Sequence, residues 1–274
     1  MDAKVQRRIQ RYGWDKAADA YEAGWKNSLA EAQAELLRMS EAGPGERVLD
    51  LACGTGLVTF PLAEAVGPEG SVVATDLSEK MVEEIRRKAA GLRLSQVTAF
   101  RAGAESLDGV PDASIDLVTC AFGLMYVPDP DVAMAEALRV LKPGGRAVFA
   151  VWGERAKCGW AEIFPIVDAR VKSSVCPLFF RLGTGSVLAR EMETAGFTDI
   201  DTTRLTADLP YPDDRAAIDA AFIGGPVALA YDRFDEQTRA AAHREYLDSI
   251  APFRTGEGYR IPGEFVINRG RRRA

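Results

Sequence analysis

The sequence predicts an α/β protein built on a doubly wound, mostly parallel sheet. Three observations carry this. Short apolar runs bounded by turn residues alternate with helical stretches between residues 46 and 152, and the first run ends in a glycine-containing turn. The chain has 274 residues, 47% hydrophobic and 27% charged, which suffices for a single domain carrying a sizeable cap. Strand, helix, strand at this regularity implies right-handed crossovers and a sheet covered on both faces.

The elements follow in order. Residues 1–45 are predicted to supply N-terminal helices. Ala20, Trp25, Leu29, Leu36 and Leu37 recur at helical spacing, and Gly43-Pro44-Gly45 stops the run. Residues 48–51 form the first strand and residues 57–66 a helix. Residues 71–76 form the second strand. Ser78 then caps a helix whose acids Glu79, Glu83 and Glu84 come early and whose bases Arg86, Arg87 and Lys88 come late, as the helix dipole prefers. Strands are expected at 97–100, 115–121 and 146–152, the last after a helix over 131–141 and the turn Lys142-Pro143-Gly144-Gly145. Beyond 152 the pattern loosens. Aromatics with Pro165 and Pro177 occupy 156–180, a helix spans 186–196, and a strand spans 198–206. Two helical stretches fall within 214–251, and a final strand over 259–267 is interrupted by Pro262-Gly263. Residues 153–258 thus read as an inserted helical cap around strand 198–206, and residues 259–274 as a last strand with a solvated basic tail of Arg269, Arg271, Arg272 and Arg273.

Charge and composition exclude some functions. A net charge of −6 gives no attraction to phosphate backbones, so nucleic acid is not an expected partner. No apolar run reaches the roughly 18 residues of a membrane span, and no signal-peptide core is visible, so a cytoplasmic location is expected. Cys53, Cys120, Cys158 and Cys176 form no C-x-x-C pair, so no metal site is expected.

The chemistry concentrates in Val48-Leu49-Asp50-Leu51-Ala52-Cys53-Gly54-Thr55-Gly56, a strand running through a tight turn into a helix. In a doubly wound sheet such a turn lies where ligands bind. A pyrophosphate is a poor fit. Thr59 stands where the dinucleotide fingerprint needs a small residue, and Asp50 would repel phosphate; a carboxylate there suits a cationic amino group instead. Asp76, 22 residues after Gly54 at the end of the second strand, can accept hydrogen bonds from ribose hydroxyls, and with Ser78 available as the cap it is free to do so.

With these pieces in place, the chain resembles a class I S-adenosylmethionine (SAM)-dependent methyltransferase of the group that includes the ubiquinone/menaquinone-biosynthesis methyltransferases. The resemblance rests on VLDLACGTG at 48–56, VVATDLSEKMV at 72–82, FRAGAESL at 100–107, PDASIDLVTCAFGLMYVPD at 111–129 and LKPGGRAVFAVW at 141–152, with REMETAGF at 190–197 a looser match. It implies a Rossmann-like, seven-stranded sheet in one domain, with SAM bound by the core 46–152 and a small-molecule acceptor methylated. It also implies roles. Gly54 and Gly56, with Ala52 and Thr55 in the same turn, would lie under the methionine part of the cofactor, and Asp50 near its amino group. Asp76 would hold the ribose, Leu77 and Met81 the adenine face, and Gly103, Ala104 and Glu105 the adenine edge. Ala121 and Phe122 would close the site, and Tyr21 would reach it from the N-terminal helix.

Two departures from the family pattern stand out. Gly103 occupies a position where the group often has an Asp for the adenine amino group, leaving Glu105 or the backbone of 103–104 to substitute. Ala52 replaces the first glycine of the string. For catalysis the candidates are Tyr126, in the loop after the fourth strand, and His243, the only histidine, in a polar helical stretch that reads as solvated. Cap aromatics such as Trp160, Phe164, Phe179 and Phe222 could line an apolar acceptor pocket, and Cys158 and Cys176 could meet a soft acceptor. The alternatives are a SAM-binding protein with a non-methylating role and a nicotinamide-dependent dehydrogenase. An RNA methyltransferase is opposed by the acid balance and by the lack of an Asn-Pro-Pro-Tyr motif.

Overall fold

A computed structural model describes residues 2–171 and 178–274. The chain opens with α1 (Ala3–Ser40). The alternating half follows: β1 (Arg47–Leu51), α2 (Thr59–Val66), β2 (Ser71–Asp76), α3 (Glu79–Leu92), β3 (Val97–Arg101), β4 (Ile115–Ala121), α4 (Pro130–Val140) and β5 (Leu141–Trp152). After it come α5 (Ile163–Asp168), α6 (Val187–Ala195), β6 (Thr198–Tyr211), α7 (Asp214–Ile218), α8 (Ala228–Tyr231), α9 (Glu236–Ile250), β7 (Arg254–Thr255) and β8 (Gly258–Arg271). The sheet order is β3-β2-β1-β4-β5-β8-β6, with the two-residue β7 pairing on β8 as an eighth strand.

Strands β3, β2, β1, β4 and β5 are mutually parallel, and β8 runs antiparallel between β5 and β6. The fold is therefore the expected Rossmann-like, mostly parallel one. The chain reverses direction in the strand order on either side of β1 and β4, so their carboxyl ends open a crevice. Ala-, Val- and Leu-rich strands fill the core because they are covered on both faces: Val48, Leu49, Val72, Ala74, Leu117, Val118, Ala147 and Val148 are all fully buried.

Several expectations need correction. The N-terminal region is one helix of 38 residues, not several, because nothing breaks it between the Asp2 cap and Glu41, which takes a left-handed conformation and ends it. The last strand is not interrupted at Pro262-Gly263. β8 continues to Arg271, with Pro262 opposite Asp208 and Gly263 opposite Ala207, and β6 extends to Tyr211 to match it. The basic end is not a solvated tail. Arg269 lies in β8 and pairs with Glu41 and Asp201, while the Arg272 guanidinium caps the carbonyls of Leu138, Arg139 and Leu141 at the end of α4. Unpaired helix-end carbonyls are what a guanidinium satisfies best.

Within 153–258, α6 and β6 belong to the core, α6 packing on α4 and β6. The covering elements are the stretch around α5 and the helices between β6 and β8. These helices number more than the two stretches expected, since α7 runs into a wider π-helical turn at Asp219–Ile223 before α8 and α9.

A buried arginine fixes α1 to the sheet. Arg146 of β5 donates to the carbonyls of Ser40 and Glu41 and makes a bidentate pair with Glu46. From this anchor α1 runs across the carboxyl edge of the sheet, burying Trp25, Leu29, Ala32, Leu36 and Met39 at three- and four-residue spacing.

Candidate functional site

Three adjoining cavities lie at the carboxyl ends of the strands. The first has Asp76, Leu77 and Met81 from the β2–α3 junction on one side and Gly103, Ala104 and Glu105 after β3 on another. Ala52 and Gly54 form its floor, Ala121, Phe122 and Tyr126 its far wall, and Arg7, Gln10, Trp14 and Tyr21 of α1 its roof. The second continues past Gly54 to Asp50, Thr55 and Gln33, sharing Tyr21, Ala52 and Ala121 with the first. The third shares Trp14, Tyr21, Phe122 and Tyr126 with the first and runs under Trp25, Trp152 and Trp160.

Asp76 is the hinge of the first cavity. Its Oδ1 accepts from the Ser78 amide at 2.8 Å and its Oδ2 from the Gly54 amide at 3.0 Å. Each carboxylate oxygen keeps a lone pair for a hydroxyl donor. Ser78 caps α3 by accepting from the Met81 amide and donates its own proton to Asp15 of α1, so Asp76 is spared the capping role. Burial, opposed by the amide hydrogen bonds, pushes the Asp76 carboxyl up to about 6.

Asp50 is 1% exposed. The hydroxyl of Thr59 donates to its Oδ2 at 2.6 Å and that of Thr119 to its Oδ1 at 2.8 Å. Burial again dominates and raises it to about 6. Thr59, read from the sequence only as a misfit to the dinucleotide pattern, is thus the residue that orients Asp50. Thr119, on the neighbouring strand, gave no local signal. The α1 residues Arg7, Gln10, Trp14 and Gln33 were also missed, because they carry no local motif and reach the site only once α1 lies over the cavities.

The two glycines of the turn differ. Gly54 has φ +53°, and a Cβ there would stand 3.7 Å from the Tyr21 ring, facing the cavity. Gly56, at φ +94°, lines none of the three cavities; a Cβ there would collide with Phe60 and Ile85, so it serves helix packing. Ala52 and Phe122 hold φ of +51° and +61°. Left-handed backbone is costly for residues with a side chain, and strain of this kind clusters at functional sites. These two residues close the turns after β1 and β4, side by side in the site.

Glu105 Oε1 accepts from Arg7 at 2.9 Å and from the Asp129 amide at 3.2 Å, tying the roof to the walls. Lys88 pairs with Glu22 of α1 and donates to the Thr55 carbonyl at 3.0 Å. Tyr21 projects between the cavities, its phenol held protonated by burial and by Asp76.

His243 is not solvated and lines none of these cavities. It is half-buried on α9, its Nε2 2.9 Å from the Tyr231 hydroxyl and its ring 5.0 Å from Phe222. Desolvation lowers its pKa. Cys158 is buried with Sγ 3.8 Å from the Glu264 carbonyl, and burial pushes its thiol up to about 12; Cys176 lies outside the described residues. Among the described residues no cluster of metal-ligating side chains occurs, and no helix is long and apolar enough to cross a membrane.

Residues 48–145 match a methyltransferase domain family. A demethylmenaquinone methyltransferase from Bacillus cereus (strain ATCC 10987 / NRS 248) is 38% identical over 141 residues, covering 49% of this chain and 58% of the relative. The chain thus spans less than two thirds of that relative's length. Phosphoethanolamine N-methyltransferase 2 of Haemonchus contortus, solved with S-adenosyl-L-methionine, shares the fold with a TM-score of 0.63 at 16% identity, over 95% of this chain and 57% of that one. The [4+2]-cyclase SpnF shares it with a TM-score of 0.60 at 19% identity, over 93% and 84%. One scaffold carries different chemistries, so the activity must be argued from the site.

Proposed function

We propose that this chain binds S-adenosylmethionine and transfers its methyl group to a small-molecule acceptor. The observation that carries this reading is the continuity of the first two cavities from Asp76 through Gly54 to Asp50. A ligand with a diol at one place and a cationic amino group farther along matches these two buried carboxylates. A dinucleotide, with phosphates beside Asp50, does not. Asp76 would hold the ribose hydroxyls, Leu77 and Met81 the adenine face, and Asp50 the ammonium group. When bound, the cofactor supplies a methyl group already activated by a sulfonium.

The protein's part is alignment and exclusion of water. The wall shared by the first and third cavities brings an acceptor against the middle of the cofactor site, and α1 roofs both. Among the residues lining the third cavity, the proton-accepting groups are the phenols of Tyr21 and Tyr126. Neither a carboxylate nor an imidazole is there, so rate acceleration rests on positioning. A cytoplasmic setting fits the free, buried thiols of Cys53, Cys120 and Cys158.

Calorimetric titration separates the readings. The protein should bind SAM or S-adenosylhomocysteine and show no heat with NAD. Radiolabel from methyl-labelled SAM should then appear in a small-molecule product. Binding without any methylated product would favour a non-methylating role, of which the cyclase shows the fold to be capable.

A further inference from the structure

The helix that roofs the cavities has a second, outward face. Among the described residues seven large hydrophobic side chains are exposed, and three of them are Val5, Ile9 and Tyr12 of α1, at 39%, 37% and 49%. Their spacing of four and then three residues sets them in one row along the helix. Apolar side chains scattered singly over a surface need no explanation, but a contiguous row marks an interaction surface. The row points away from the cavities, since the same turns bring Arg7, Gln10 and Trp14 to the inner wall.

The charges beside the row are one-sided. Residues 2–16 carry five bases, Lys4, Arg7, Arg8, Arg11 and Lys16, and two acids, Asp2 and Asp15, in a chain of net charge −6. Both acids are engaged within the fold. Asp2 accepts from the Lys4 and Val5 amides, and Asp15 from the Ser78 hydroxyl at 2.6 Å. Arg7 is spent on Glu105, and Lys16 pairs with Asp232 on the open surface. Lys4, Arg8 and Arg11 enter no ion pair among the described residues, and Lys4 and Arg8 are exposed. The patch ends one turn beyond Lys16, at the exposed Asp19.

We propose that the outward face of α1 from Lys4 to Lys16 docks on an anionic membrane surface. Val5, Ile9 and Tyr12 enter the boundary layer, and Lys4, Arg8 and Arg11 meet lipid phosphates. Charge complementarity selects this occupant, because an anionic layer with an apolar margin matches bases interleaved with apolar side chains. Tyrosine favours the boundary between water and lipid, and the stems of Lys and Arg lie along apolar surface while their charges reach out. The core of a protein interface is depleted of lysine and other charges, which does not match this face. No helix among the described residues is long and apolar enough to cross a membrane, so the contact lies on the surface. Docking would bring the membrane within about one helix diameter, roughly 10 Å, of the cavities that α1 roofs. The proposal does not depend on the cofactor reading.

Vesicle co-sedimentation of the full chain tests it. The protein should pellet with vesicles of phosphatidylcholine and phosphatidylglycerol in equal parts and stay in solution with phosphatidylcholine alone. Raising salt from about 0.1 to 1 M, which shortens the Debye length from about 10 to 3 Å, should release it. Neutralising two bases in the double variant Lys4→Gln, Arg8→Gln should weaken vesicle binding about thirty-fold. The triple variant Val5→Ser, Ile9→Ser, Tyr12→Ser should weaken it as well, and both should keep the wild-type Tm because only outward side chains change. Equal pelleting with the two vesicle types, no pelleting with either, or full binding by the Gln variant would each overturn the proposal. So would binding to polyglutamate as tight as to the anionic vesicles, which would assign the bases to an acidic protein. A dimer of wild type that the serine variant abolishes, with vesicle binding intact, would assign the row to a second copy of the chain and overturn it too. Should a variant not fold, the wild-type series over lipid and salt still decides.

Discussion

The Gly54 amide donates to the Asp76 carboxylate at 3.0 Å, joining the turn after β1 to the end of β2 by one hydrogen bond. The carboxylate that would hold the ribose therefore also sets the shape of the turn that would hold the methionine end. Asp76→Ala removes the ribose contact and leaves the Gly54 and Ser78 amides without their acceptor. Loss of a charge-assisted contact of this kind costs on the order of 1.5–3 kcal/mol, so SAM affinity measured by calorimetry should fall at least ten-fold. Asp76→Asn should fall between wild type and Ala, because one oxygen cannot serve both amides. An unchanged dissociation constant in the alanine variant would remove Asp76 from the site.

The raised carboxyls of Asp50 and Asp76, both at about 6, give cofactor binding a pH dependence. Above that value both are ionised and able to meet a cationic amino group and hydroxyl donors. Below it they bind protons that a cation must displace. SAM affinity should be flat from pH 7 to 8.5 and weaken progressively as pH falls through 6 toward 5. Affinity independent of pH across that window would mean that neither carboxylate contacts the ligand.

The same shift has a consequence for stability. A carboxyl raised in the folded state above its ordinary value of 3.8 binds its proton more tightly folded than unfolded. Its contribution therefore falls as pH rises from about 4 to 6 and remains unfavourable at pH 7. Asp50→Asn removes that burden while an amide still fits between Thr59 and Thr119. The ligand-free variant should melt a few degrees higher than wild type at pH 7 and yet lose most SAM affinity. Stability given up for function in this way is expected at a binding site. Lower melting with intact affinity would show Asp50 to be structural.

Gly103 offers a gain-of-affinity test. A Cβ there would meet only the Leu77 Cδ1, at 4.0 Å, so a side chain fits. Glu105, the other candidate for the adenine edge, already has Oε1 committed to Arg7 and the Asp129 amide. Gly103→Asp should offer a carboxylate partner to the adenine amino group and tighten SAM binding by about three- to ten-fold, the worth of one net hydrogen bond. Weaker or unchanged binding would place the adenine elsewhere in the first cavity.

How much of this was legible in the sequence follows from how local each signal is. β2 and β4 carry apolar runs bounded by turn residues, and their limits were read to the residue. Ser78 capping α3 needed only its own neighbours. The first half of α1 was read as helical but not as part of the site, because the face it turns inward is a cavity wall bearing Arg7, Gln10 and Trp14 in place of an apolar stripe. The end of β8 was missed because Asn268 and Arg269 look like solvent-facing residues, yet Asn268 is fully buried and Arg269 is neutralised by Glu41, just past α1, and by Asp201 of β6. The Thr59–Asp50–Thr119 arrangement spans 69 positions and becomes visible only when β1 and β4 lie side by side.

The two phenylalanines that the sequence offered as equal candidates for the acceptor pocket separate in the structure. Phe179 is 2% exposed and backs the third cavity, with ring contacts to Tyr126 at 5.3 Å and Trp160 at 5.6 Å. Phe222 is fully buried among Tyr231, His243 and Tyr246, and it lines none of the three cavities. Phe179→Ala should let Tyr126 and Trp160 shift, which loosens the acceptor's fit. Its mark is a raised KM or lowered kcat for the methyl acceptor, with SAM affinity kept within about two-fold. Phe222→Ala should act through stability instead. Emptying a well-packed aromatic site costs roughly 3–5 kcal/mol, seen as a Tm lowered by some 6–15 °C with near-normal kinetics in the fraction that stays folded. Comparing the two variants for both Tm and steady-state kinetics distinguishes a wall of the pocket from the core of its cover. If Phe222→Ala shifted acceptor KM and left Tm in place, the acceptor would extend beyond Trp160 into the helices between β6 and β8.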